Sequence, residues 1–99
     1  MMTEKTENSD NSIFIGGKPF MNYVTAVVMQ FTTHKASEVI VKSRGKFISK
    51  AVDVAEVARR KFLEDQNIVV KDVKIGSEEF ENKEGKLVNV SILEITLSK

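Results

Sequence analysis

The sequence predicts one two-layer α/β (α+β) domain with the element order β-α-β-α-β-β, a mixed four-stranded sheet, two helices and a projecting C-terminal hairpin. Two segments repeat apolar residues at three- and four-residue steps, which is typical of helices. Four short runs are rich in β-branched residues, and a polar loop containing glycine separates the last two. A chain of 99 residues suits one domain. Apart from two methionines, residues 1–11 are polar and predict a disordered tail before a domain at residues 12–99.

The first half of the chain predicts two strands around one helix. Ile13–Ile15 is a short apolar run that ends at two glycines, and Lys18-Pro19 is suited to open a helix. Glu38–Lys42 is a compact β-branched run that predicts a central strand. The apolar face of the first helix is predicted from its spacing to be Phe20, Met21, Val24, Val27, Val28 and Phe31.

The second half predicts a helix followed by a hairpin. Ile68–Ile75 is predicted as the third strand, and an alternating fourth strand ends near Leu97. The alternation breaks at Leu93, which indicates either a β-bulge or a strand buried on both faces. Residues that mark the face of the second helix are Ile48, Ala51, Val52, Ala55, Ala58 and Phe62.

The predicted hairpin is too long for the body of so small a domain. From Ile68 to Glu81 a strand would span roughly 45 Å at ~3.3 Å per residue, against a radius of gyration of about 13 Å for a compact chain of this size. Residues 77–86 are polar except for Phe80 and Gly85. We therefore expect an arm that projects from the body and contacts a partner.

Composition argues against several functional classes. The chain has no cysteine, which excludes disulfides, thiolate metal sites and cysteine nucleophiles. No apolar run approaches the ~18 residues of a membrane span, so we expect a soluble intracellular protein without membrane contact. His34 is the single histidine, and the glycines before Lys18 lack the spacing of a nucleotide-binding loop. We expect no cofactor, no metal and no catalytic residues, and therefore not an enzyme.

Positive charge is concentrated in one part of the chain. Residues 13–50 contain six cationic residues against Glu38 alone, a net charge of +5, although the whole chain carries only +1. Four of the six surround the end of the second strand: Lys42, Arg44, Lys46 and Lys50. The spacing leaves two interpretations open, a solvated loop or a cradle for phosphate groups. The carboxylates of residues 78–84 are interpreted as solubilising.

Phe62 also leaves two interpretations open. Helical periodicity would place it in the core, where it would end the second helix. The three cations before it, residues 59–61, instead favour an exposed aromatic side chain that mediates association.

Two long runs of residues carry a resemblance to a known family. They are Ile15-Gly16-Gly17-Lys18-Pro19-Phe20-Met21-Asn22-Tyr23-Val24 and Lys42-Ser43-Arg44-Gly45-Lys46-Phe47-Ile48-Ser49-Lys50-Ala51-Val52-Asp53. The first resembles the opening motif and the second resembles the second motif of the Alba family of archaeal chromatin proteins, and the resemblance covers about residues 12–98. The resemblance implies a homodimer that coats or compacts double-stranded DNA with little sequence preference. Many members also bind RNA, which leaves a role in RNA structure or ribonucleoprotein assembly as the alternative. A cytoplasmic, chromosome-associated location follows from the main interpretation.

The resemblance also assigns roles to residues. Contacts with the nucleic-acid backbone fall on Lys18, Lys42, Arg44, Lys46 and Lys50, with Asn22 and Tyr23 beside that surface and Lys83 and Lys86 at the tips of the arms. Phe62 matches a position that packs one dimer against the next along DNA. Many relatives carry two lysines before the proline, the first of them acetylated, but Gly17 occupies that position here.

Overall fold

The computed structural model describes residues 11–99, and apart from Asn11 the tail predicted at residues 1–11 lies outside the described residues. Two helices pack on one face of a four-stranded sheet whose strand order is β1-β2-β4-β3. The strands are β1 (Ser12–Phe14), β2 (Glu38–Arg44), β3 (Val69–Glu81) and β4 (Leu87–Ser98). The predicted fold class and the predicted element order are therefore confirmed.

The helices begin and end close to the positions that the sequence predicts. Helix α1 is Phe20–Thr32, and Pro19 immediately precedes it with an extended ψ of 146°. Helix α2 is Ile48–Val57, preceded by a 3₁₀ turn at Gly45–Phe47 and continued by a π-helical turn at Ala58–Phe62. Gly45 has a φ of 58°, a left-handed conformation that glycine adopts without strain.

The sheet is mixed, as predicted. Strand β1 pairs parallel with β2, and β4 pairs antiparallel with both β2 and β3, so the first three strands run in one direction. The chain crosses over twice through a helix and then returns as a hairpin, which inserts β4 between β2 and β3.

The core lies between the helices and the central strands. Val24, Val27 and Phe31 of α1 are almost fully buried, as are Val39 and Val41 of β2. From α2, the π-helical turn and β4 the buried side chains are Ala51, Val54, Ala55, Ala58, Leu93, Ile95 and Leu97. Met21 and Val52, which the periodicity assigned to the buried helical faces, are 47% and 42% exposed because they lie at the margins of those faces.

The break in alternation at Leu93 is explained by a change of face. Leu93 and the residues after it at every second position face the helices, whereas Val88, Val90 and Ile92 lie on the opposite face. Strand β4 is continuous here, and the irregular register lies in β3 between Val70 and Asp72. The alternative of a bulge at Leu93 is therefore wrong.

Strand β3 is exposed along all 13 of its residues and forms one edge of the sheet. The described residues extend over 48 × 33 × 24 Å with a radius of gyration of 14.5 Å, which fits a hairpin that projects beyond the body. Beyond Glu81 the turn is closed by a hydrogen bond of 2.8 Å from the backbone amide of Asn82 to the carbonyl of Lys86. We call residues 77–91 the hairpin arm.

Candidate nucleic-acid interface

The parallel strands β1 and β2 end on the same side of the domain, and cations from three segments lie at this end of the sheet. Lys18 follows β1, Arg44 is the last residue of β2, and Lys46 lies in the 3₁₀ turn that leads into α2. All three residues are exposed. We call Lys18, Arg44 and Lys46 the basic cluster, and its location fits the cradle interpretation better than an isolated solvated loop.

Arg44 connects the basic cluster to the hairpin arm. Its Nη1 lies 3.2 Å from Oε1 of Glu78, and its guanidinium carbon lies 5.9 Å from the ring centre of Phe80. The side chains of Arg44 and Glu78 remain 64% and 51% exposed, so water screens this pair. The sequence gives no signal for the pairing, because it separates the two residues by 34 positions.

Lys42 is less available than the members of the basic cluster. Its ammonium lies 4.0 Å from a carboxylate oxygen of Glu94 and 5.3 Å from the ring centre of Phe14. Its side chain is only 31% exposed. The resemblance implies that Lys42 contacts the nucleic-acid backbone. To make that contact, the Lys42 ammonium would have to interact with Glu94 and a phosphate at the same time.

Tyr23 lies inside the domain, beneath the segment that carries Lys18. The residue is 9% exposed, and its hydroxyl accepts hydrogen bonds from the amides of Gly16 at 3.0 Å and Lys18 at 3.1 Å. Its neighbour Asn22 is exposed, and the backbone amide of Asn22 donates to the Pro19 carbonyl over 3.0 Å. A direct contact of the Tyr23 side chain with a ligand does not fit this burial, whereas Asn22 remains accessible.

Lys50 also differs from the expectation of a free cation. Its ammonium donates to the carbonyl of Gly16 at 2.8 Å and to that of Lys18 at 2.7 Å. It also lies 5.0 Å from the ring centre of Tyr23 and 5.9 Å from that of Phe47. The expected contact of Lys50 with a phosphate stays a prediction, and it could use only the one ammonium proton that is not bonded to a backbone carbonyl.

The tip of the hairpin arm exposes Lys83 and Lys86. The Asn82 side-chain oxygen accepts from the amides of Glu84 at 2.9 Å and Lys86 at 3.0 Å, and Gly85 has a φ of 82°. The turn therefore holds both lysines on a defined backbone at the tip of the arm.

Phe62 is 51% exposed at the end of the π-helical turn. The core interpretation of Phe62 is therefore wrong, and Leu63, the next residue, is fully buried in its place. Arg59 bonds the Glu56 carboxylate at 2.6 Å and holds the helix end, so it is not a free cation beside Phe62.

A cleft of about 410 Å³ lies beside Arg44. Its lining includes Phe14, Phe47, Ile92 and the buried residue Ser43, whose hydroxyl has no hydrogen-bond partner among residues 11–99.

In the described part of the chain no three histidine or acidic side chains lie close enough to hold a metal ion. Nor is any described helix long and apolar enough to cross a membrane.

The fold and the exposed cations together define a class: small α+β domains with two helices on one sheet face, a basic strand end and a projecting hairpin. Residues 11–77 match the family model Alba. The chain is 50% identical over 91 residues to "DNA/RNA-binding protein Alba 1" of Archaeoglobus fulgidus, which covers 92% of this chain and 98% of the relative. It is 52% identical over 90 residues to "DNA/RNA-binding protein Alba" of Methanothrix thermoacetophila, covering 91% and 97%.

A solved structure agrees. Alba from Thermoplasma volcanium superposes with a TM-score of 0.82 at 48% identity, over 90% of this chain and 100% of that one. The chain belongs to the Alba family, as the sequence motifs predicted.

Proposed function

We propose that this protein is a non-enzymatic architectural protein that binds double-stranded DNA with little sequence preference and coats or compacts it as a homodimer. The observation that carries the proposal is the basic cluster, three exposed cations from three segments at one end of the sheet. Such cations suit phosphate oxygens, which repeat regularly along a duplex and carry no sequence information. The relatives named DNA/RNA-binding protein Alba support the same class of ligand.

The hairpin arm supports a groove contact in addition to the backbone contact. The polar run at residues 77–86 and the exposed Lys83 and Lys86 at the tip suit a surface of high negative potential, such as a minor groove. The acidic residues of the arm reduce this attraction, so we assign most of the affinity to the basic cluster. A location on the chromosome in the cytoplasm follows from the proposal.

A second copy of this chain is proposed as the partner of strand β3. Val73 and Ile75 are 52% and 82% exposed on the sheet face that carries the helices, and neither helix covers them. A two-fold related copy would bury this row, and two-fold closure is the commonest arrangement of homo-oligomers. Phe62, exposed at the end of α2, is proposed to pack one dimer against the next on DNA.

RNA is the alternative ligand, since the printed names of the relatives include it. The test is a competition in which duplex DNA, duplex RNA and single-stranded RNA displace one labelled duplex between 50 and 200 mM salt. If a dimer neutralises about 6–10 phosphates, affinity for duplex DNA falls by about 10³–10⁵-fold across this range. A shallow salt dependence or a strong preference for one duplex sequence contradicts phosphate-driven binding, and tighter binding of RNA favours the alternative.

A further inference from the structure

Two side chains hold the segment Gly16–Lys18 through four backbone atoms. The Tyr23 hydroxyl accepts from the amides of Gly16 and Lys18, at 3.0 and 3.1 Å. The Lys50 ammonium donates to the carbonyls of the same two residues, at 2.8 and 2.7 Å. Both backbone polar groups of Gly16 and of Lys18 are thus bonded by side chains from α1 and α2. We call this arrangement the Tyr23–Lys50 clamp.

The Lys50 ammonium has little capacity left for a phosphate. The ammonium has three N–H donors and no acceptor. Two of them serve the carbonyls, and the ring of Tyr23 lies 5.0 Å away as a further favourable contact. A phosphate could accept only the third proton of this ammonium unless one of the hydrogen bonds to the carbonyls were broken.

Lys18 itself is exposed, and its segment packs little against the domain. Nothing lies within 4 Å of the position that a Cβ atom would occupy on Gly17, so no side-chain packing holds the middle of the segment. Gly17, Lys18 and Pro19 are all exposed. The clamp therefore fixes the backbone of Lys18 where packing does not, while its ammonium remains available to a ligand.

From this geometry we infer that Lys50 and Tyr23 are positioning residues, which hold Lys18 in place for a phosphate and do not contact the nucleic acid themselves. The inference rests on the proposed function, since it assigns the phosphate contact to Lys18. It assigns different roles to two of the cations, since the backbone of Lys18 is held in place and Lys50 holds it. Without the clamp the segment would sample more conformations, and binding would have to restrict them again.

The first test uses the protein without nucleic acid. Amide exchange rates by NMR are compared among the native protein, Lys50→Met, Tyr23→Phe and the matched control Lys46→Met, whose lysine bonds no backbone group of the segment. We expect the Gly16 and Lys18 amides to exchange about 2- to 10-fold faster in Lys50→Met and Tyr23→Phe, the range that a hydrogen bond of ordinary net strength gives. Lys46→Met should leave both rates unchanged. Unchanged rates in Tyr23→Phe, which removes one hydroxyl only, would overturn the clamp even if Lys50→Met failed to fold.

The second test is a double-mutant cycle in duplex DNA affinity and its salt dependence. If Lys50 acts through Lys18, Lys18→Met and Lys50→Met should weaken binding by similar factors, and the double variant should be no weaker than Lys18→Met alone. In the control cycle, Lys46→Met added to Lys18→Met should lower the salt slope by a further ~0.9 per protomer, as an independent phosphate contact does. An equal further decrease for Lys50→Met would show that Lys50 contacts phosphate directly and would overturn the inference.

The two tests separate this inference from the proposed function. If the native protein binds no nucleic acid, the proposed function fails, and with it the positioning role, although the exchange rates still report whether the clamp exists. If the native protein binds and the Lys18–Lys50 cycle is additive, only the positioning role fails.

Discussion

Neutralising Glu78 should tighten nucleic-acid binding, because Glu78 competes with phosphate for Arg44. The carboxylate lies 3.2 Å from the guanidinium, and both side chains are more than half exposed. An exposed pair of this kind contributes about 0.2–1 kcal/mol, which corresponds to about 1.4- to 5-fold in an equilibrium constant. A dimer breaks two such pairs on binding, so Glu78→Gln should raise affinity by about 2- to 30-fold.

The assay is fluorescence anisotropy with a labelled duplex at several salt concentrations. Glu79→Gln is the matched control, because it removes the same charge from the opposite face of β3 and is not paired with Arg44. Both variants gain from the weaker general repulsion, but Glu78→Gln should gain more, and the difference should diminish in an Arg44→Ala background. Equal gains in the two variants, or a gain that persists without Arg44, would refute competition for the guanidinium.

Three further predictions test the rest of the proposal. Arg44→Ala combined with Lys46→Ala should weaken binding to all duplex sequences alike and lower the salt slope, with an unchanged circular dichroism spectrum; unchanged affinity would contradict the basic cluster. Ile75→Asp should convert a dimer to a monomer in sedimentation velocity, since it places a charge in the exposed apolar row of β3; a monomeric native protein at micromolar concentration would refute the dimer. Phe62→Ala should reduce cooperativity on long duplexes while unfolding free energy changes by less than about 1 kcal/mol, against about 3–5 kcal/mol for a core phenylalanine; a large loss of stability with intact cooperativity would contradict dimer–dimer packing.

Periodicity and turn residues were sufficient to predict the helices and strands and their order along the chain. The repeat that ends at Phe31 predicted α1, and the glycine loop after Asn82 predicted the hairpin. Where the apolar pattern changed at Leu93, sequence alone could not distinguish a bulge from a change of buried face, because both shift the phase by one residue. The position of β4 between β2 and β3 depends on tertiary contacts, which the local sequence pattern does not show.

The candidate site was only partly predictable, for a similar reason. Residue type and spacing identify Arg44, Lys46 and Lys50 as cations near one another, but not the partner of each one. Those partners come from distant segments: the Arg44 guanidinium meets Glu78 and the Lys50 ammonium meets two backbone carbonyls. Burial of Tyr23 likewise depends on which side of α1 faces the sheet, and its hydroxyl has a role that helical spacing does not reveal.

The closed turn at the tip of the hairpin arm has an energetic consequence for any ligand that the arm contacts. Asn82 and the left-handed Gly85 give the tip its shape without a ligand, so Lys83 and Lys86 project from a backbone that binding does not have to order. Ordering a flexible loop would remove about 1–2 kcal/mol of binding free energy per residue fixed. Across the few residues of the turn, this preorganisation is comparable in size to the gain from several charge contacts, and it lets an arm with more acidic than basic residues contribute to affinity through its shape.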